Sequence, residues 1–179
     1  MQRTHTTTLT RSCGHWAKAE SHGMENAKRA ALLQRYRDGY GALSLALSGL
    51  DEGELDARRT ADEWTIREII HHLADAEMIT AIRFRRLIAE DAPTIEGYDE
   101  GEYARRLHYA GRPIESSLEA IRAARATTAD ILDRLSEDEW KRRGTHVERG
   151  KYSPDISLGF CAGHLHDHAE QVRRIRRAQ

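Results

Sequence analysis

The sequence predicts an all-α protein: an antiparallel four-helix bundle whose connections are long crossover loops. Three observations carry that prediction. Four stretches repeat apolar residues at alternating spacings of three and four, the period of a helix with one buried stripe. Capping boxes at Thr65 with Glu68 and at Ser136 with Glu139 mark where helical segments open. Proline is scarce, at 3 of 179 residues, and none interrupts a periodic stretch.

Residues 1–23 have no apolar period and are rich in Thr and Ser. They lack both the apolar core and the small-x-small cleavage site of a secretory signal, and are expected to be either an arm on the body or the product of a start assigned ahead of Met24. Residues 24–179 are expected to form one domain. The first helix carries the stripe Leu33, Tyr36, Tyr40, Leu43, Leu47 and Leu50. The second opens at the Thr65 box and runs through Ile66, Ile69, Leu73, Ala76, Phe84 and Leu87. The third begins near Pro113, a residue suited to a first helical turn, and continues through Ile114, Leu118, Ile121, Thr128, Leu132 and Leu135. A short turn from Ser136 ends at Trp140. The fourth is expected to run from about Ser157 to the end, through Leu158, Cys161, Leu165, Val172 and Ile175.

Between them lie three connections, residues 49–62, 91–112 and 144–155. The second is long enough to hold a short helix over residues 99–107, and the third contains the strand-favouring pair Lys151 and Tyr152. The two later loops are the natural walls of a pocket at one end of a bundle.

Composition excludes several classes of function. The chain has 28 basic and 29 acidic side chains, a net charge of −1, so no overall field draws it to nucleic acid. The arginines of the last turns, from Arg173 to Arg177, suit the negative end of a helix dipole. No apolar run approaches the roughly 18 residues of a bilayer span. Two cysteines, Cys13 and Cys161, make no disulfide framework, which fits a reducing cytoplasm.

The ten histidines are the informative feature. His71 and His72 are adjacent on helix two, so only one can face inward. At about 100° per residue, His72 borders the stripe centred on Leu73, whereas His71 lies about 160° away in a polar ladder with Arg67 and Asp75. On helix four, His164 and His168 share one face, with Gln171 just beyond, and His166 falls on the opposite flank. Imidazoles at i and i+4, with a third from a neighbouring helix, suit a metal ion; the competing reading is a solvated polar patch. Three neutral ligands leave an ion its charge and an open position, as a catalytic site requires. Leu165 follows His164, so there is no HExxH motif. Glu68 and His71 make one Glu-x-x-His, but the second motif of a di-iron site is missing.

These residues resemble a known family. WTIREIIHHLADAE from Trp64 to Glu77, IRF at 82–84, APTIEGYDE from Ala92 to Glu100 and HLHDHAEQ from His164 to Gln171 are similar to blocks of the DinB-like superfamily, most of all its YfiT-like branch of metal-dependent hydrolases. The resemblance covers residues 27–177 and implies a divalent ion, zinc or nickel, one per subunit, on His72, His164 and His168. It also implies a small-molecule substrate, a homodimer, and either of two chemistries. One is hydrolysis by water that the ion activates. The other is transfer of a low-molecular-weight thiol, as in bacillithiol- or mycothiol-dependent relatives. Catalytic acid or base residues stay unassigned: Asp75 and Glu77 are near His72 in sequence, but helix-surface carboxylates are usually just solvated. Tyr98, Asp99 and Tyr103 either contact substrate or pin their loop. Cys161 reads as a buried thiol; as a fourth ligand it would instead close the site into a structural clip.

Overall fold

The computed structural model describes residues 24–179, so the expectations for the first twenty-three lie outside it. Helix α1 (Asn26–Leu47) buries Tyr36, Gly39, Leu43 and Ala46. It stops three residues short of Leu50, where Gly49 takes the left-handed conformation at φ 75°. Helix α2 (Ile66–Ala89) opens on the expected capping box, Thr65 and Glu68 each bonding the other's backbone N–H. Helix α3 (Glu100–Arg106) fills the long second loop, with Asp99 accepting from the Glu102 N–H at 2.9 Å. Helix α4 (Glu115–Leu132) is the third long helix, and the single turn α5 (Glu137–Trp140) carries the second capping box.

The last helix differs from its expectation. Instead of one rod from Ser157, there are two pieces, α6 (Pro154–Cys161) and α7 (His164–Arg177). Ser153 caps α6 and Pro154 occupies its first turn. The chain breaks at Ala162 and Gly163. There the Arg125 guanidinium takes the carbonyls of Cys161 and Ala162, both at 3.5 Å, which a continuing helix would have bonded itself.

Packing makes the four-helix bundle. Helix α2 lies against α4, α1 lies against α7 and α4, and α6 touches both α1 and α2. Consecutive helices α1 and α2 therefore sit at opposite corners. One apolar cluster gathers Leu43, Ile69, Leu73, Ile121, Leu165 and Val172. A second gathers Tyr36, Phe84, Leu132, Trp140, Leu158 and Cys161. Each fully buried Leu or Ile contributes about 1.5–3 kcal/mol, so these clusters do not need an ion to hold them.

A small sheet, only hinted at by Lys151 and Tyr152, joins the two later loops. Strand β1 (Thr94–Ile95) runs parallel to β2 (Gly144–His146), and β2 is antiparallel to β3 (Gly150–Tyr152). Gly144 permits the approach, since a Cβ there would lie 2.6 Å from the Pro93 carbonyl oxygen. From β1 the crossover returns along α2. Arg86 donates to the Thr94 carbonyl at 2.9 Å and Arg83 to that of Glu96 at 2.6 Å; farther on, Tyr109 donates to Asp75. Residues 91–112 are thus held along α2. Their polar contacts strap the loop to the outer ladder of α2. The Tyr98 and Tyr103 rings meet at a tilt with centroids 4.8 Å apart, and Arg83 lies over the Tyr98 ring. Among the described residues, no helix is long and apolar enough to cross a membrane.

Candidate metal centre

His72 faces inward from α2, and α7 presents His164 on its first turn and His168 on its second. Their nitrogens all lie within 4.8 Å of one another. The Nε2 atoms of His72 and His164 are 3.4 Å apart. That is long for an N–H···N hydrogen bond, and it matches the edge of about 3.4 Å expected between two ligands roughly 2.1 Å from a tetrahedral ion. His72 is buried, 2% exposed, while His164 and His168 are half-buried, so the cluster is deepest at His72.

The surroundings keep the three imidazoles neutral. Burial, helped by His164 and His168, pushes His72 down to about 2. Burial, then His168 and the Arg125 charge, holds His164 at about 3. Burial lowers His168 as well, against the opposing effect of its bond to Gln171. That bond orients the ring: His168 Nδ1–H donates to Gln171 Oε1 at 2.8 Å, which leaves Nε2 as the lone-pair nitrogen. Trp64 packs on His72 with ring centroids 4.6 Å apart.

The other candidates lie elsewhere. His71 is 1% exposed, with both nitrogens engaged. Its Nε2–H donates to the Arg112 carbonyl at 3.1 Å, so Nδ1 accepts from the Ser117 hydroxyl at 2.8 Å. His166 bonds the Arg35 carbonyl at 2.8 Å. Cys161 is not a member of the cluster; its thiol points to the Leu158 carbonyl at 3.8 Å, and burial pushes its pKa up.

Two residues escaped the sequence reading. Glu77, expected on the surface, is 1% exposed and pairs with Arg125, itself 2% exposed. The Tyr36 hydroxyl donates to Glu77 at 3.2 Å, and Arg125 stacks 3.9 Å from the Tyr36 ring centroid. A signal for both was present. Arg125 fills the position between Ile121 and Thr128 on the α4 stripe, and Glu77 lies four residues after Leu73 on that of α2. A charge at a stripe position requires a buried partner of opposite sign.

Residues 35–172 match the family model of the DinB superfamily. "Putative metal-dependent hydrolase OB0782" of Oceanobacillus iheyensis is 36% identical over 126 residues, 70% of this chain and 73% of that protein. A Bacillus cereus protein with the same description is 27% identical over 145 residues, 81% of this chain and 83% of its own. Among solved structures, YfiT from Bacillus subtilis, described as a probable metal-dependent hydrolase with an unusual four-helix bundle topology, aligns with a TM-score of 0.82. It is 24% identical and covers 92% of this chain and 93% of that one. A mycothiol-dependent maleylpyruvate isomerase aligns with a TM-score of 0.64 at 16% identity, covering 80% of this chain and 60% of that one. At those identities both likenesses are of fold.

Proposed function

The chain belongs to the DinB superfamily, and from that premise we propose that it is a hydrolase of small molecules using a divalent ion on His72, His164 and His168. The observation that carries this reading is the three-imidazole cluster, in which one nitrogen from each ring lies within 4.8 Å of the others. The fit rests on donor chemistry. Buried neutral imidazoles offer lone pairs, and zinc or nickel suits such a set. A bound ion of this kind supplies a lowered pKa, toward about 7, for a water at its open position. The protein's part is to fix the ligands. His72 anchors the site from the buried side with Trp64 packed on its ring, and Gln171 holds the tautomer of His168.

A second reading, transfer of a low-molecular-weight thiol, is favoured by one observation. The three carboxylates of α2 are all committed, Glu68 to the Thr65 cap, Asp75 to Tyr109 and Glu77 to Arg125 and Tyr36. Hydrolysis normally uses a free base to guide water, whereas a thiol coordinated to an ion loses its proton with less help. The isomerase with the shared fold is thiol-dependent by name.

Metal analysis of the purified chain, followed by paired assays, tests both. One ion per chain is expected, with cleavage of small esters or amides that a chelator abolishes. Metal-dependent conjugation of a small thiol to a haloaromatic, without such cleavage, would assign the second chemistry. A chain that takes up no ion overturns both readings.

A further inference from the structure

The Arg125–Glu77 pair occupies the level between the two apolar clusters. On α4, Ile121 belongs to the first cluster and Ala129 to the second, with Arg125 midway. On α2, Glu77 stands in the same relation to Leu73 and Phe84. From that level one guanidinium reaches three other helices. Its Nε donates to the Tyr36 carbonyl on α1, Nη1 to Glu77 on α2, and Nη2 to the carbonyls of Cys161 and Ala162 where α6 ends.

We propose that Arg125 is a positioning residue for the metal centre, fixing the α6–α7 break and with it the placement of His164 against His72. The inference rests on the metal-binding reading above. His164 is the first residue of α7, two positions beyond Ala162, so a shift of the break moves it directly and carries His168 along. His72 stands on α2, which the same guanidinium grips through Glu77. One side chain therefore spans both halves of the ligand set, and metal distances tolerate only about 0.2 Å of error. A lysine would keep the charge but could not hold this arrangement, because its ammonium is a compact point rather than a planar fork. The backbone makes room for the fork at Gly39 in α1, where a Cβ would lie 2.8 Å from Arg125 Nη2. Glycine inside a helix is less stable than alanine there, and this contact accounts for it here. Glu77 neutralises a charge that would otherwise oppose a cation nearby.

Cobalt(II) titration of the full chain, read by affinity and by the visible spectrum, tests the proposal independently of activity. Arg125→Lys is expected to stay helical, bind cobalt about tenfold more weakly and change the absorption bands. Gly39→Ala, which presses on the fork while leaving both members of the pair in the sequence, is expected to weaken binding about threefold with the same spectral change. Leu55→Ala, a cavity in the turn between α1 and α2 far along the chain from the break, should lower the melting temperature and leave cobalt binding and spectrum at the wild-type values. Folded Arg125→Lys and Gly39→Ala that bind within about twofold of wild type, with its spectrum, overturn the proposal. So does a Leu55→Ala that weakens binding as much as they do. If Arg125→Lys does not fold, Gly39→Ala alone decides. Wild-type chain that takes up no cobalt instead overturns the metal reading itself.

Discussion

The two histidines at positions 71 and 72 are neighbours on one helix, both almost fully buried at 1% and 2% exposure, yet they meet different chemistry. His71 points into the outer ladder of α2, where the crossover and the start of α4 supply a carbonyl and a hydroxyl. Each of its nitrogens has a protein partner. His72 points toward α7 and meets two more imidazoles, with Trp64 at its side. Burial alone therefore does not distinguish a structural histidine from a ligand. What does is whether the neighbours complete its hydrogen bonds or leave lone pairs facing one another.

Exchange of either residue for alanine tests that difference where its effect is largest. His72→Ala is expected to take metal stoichiometry from one to none, as are His164→Ala and His168→Ala. His71→Ala should keep one ion per chain but lose about 1–3 kcal/mol of stability, because the Arg112 carbonyl and Ser117 hydroxyl are left buried without partners. Metal analysis beside urea unfolding separates the two. The comparison breaks if His71→Ala empties the site and His72→Ala leaves it filled.

Acid provides a second, smaller contrast, in chelated protein. An unfolded histidine titrates near 6.5, whereas His72 in the fold is held down to about 2 by burial and its two neighbours. Between those values the unfolded chain binds the extra proton. The contribution is thus fully present above about pH 6.5 and is lost as the pH falls, at up to about 1.4 kcal/mol per unit for each such group. His72→Ala should therefore start less stable at neutral pH and fall less steeply from about pH 6 to 5 than wild type. Parallel acid limbs in urea titrations would show that His72 carries no such burden.

How much of this was legible in the sequence follows from the range of the interactions involved. The helical stripes and the capping boxes at Thr65 and Ser136 depend on residues three and four apart, so local spacing shows them. The inward turn of His72 and the shared face of His164 and His168 are equally local. The break before His164 is not, because it depends on Arg125, 36 residues upstream of Cys161 in the chain. Neither is the parallel pairing of Thr94 with Thr145, two short strands joined across the length of α3 and α4. The ladder of Arg67, His71 and Asp75 reads as solvent-facing from its polarity. It is buried or half-buried because the crossover folds back over it and satisfies its polar groups.

The smallest expected effect sharpens the comparison on the ligand side. His71 has its tautomer set by a carbonyl, and His168 by the side chain of Gln171 at 2.8 Å. An imidazole whose Nδ1–H is held this way presents its Nε2 lone pair in one direction. Gln171→Leu removes the acceptor, leaving the ring free to turn and to exchange tautomers. Metal affinity should fall about tenfold, the lower end of what outer partners of ligating histidines contribute. Stability should change by no more than about 0.5 kcal/mol, since Gln171 is only half-buried. Gln171→Glu keeps an acceptor in place, and its carboxylate raises the basicity of the ring, so affinity should return to the wild-type value or exceed it. Competition with a chromogenic chelator measures all three chains under one condition. If Gln171→Leu binds as tightly as wild type, His168 is oriented by packing in the bundle alone; if Gln171→Glu fails to restore what leucine loses, the hydrogen bond is not the cause of the loss.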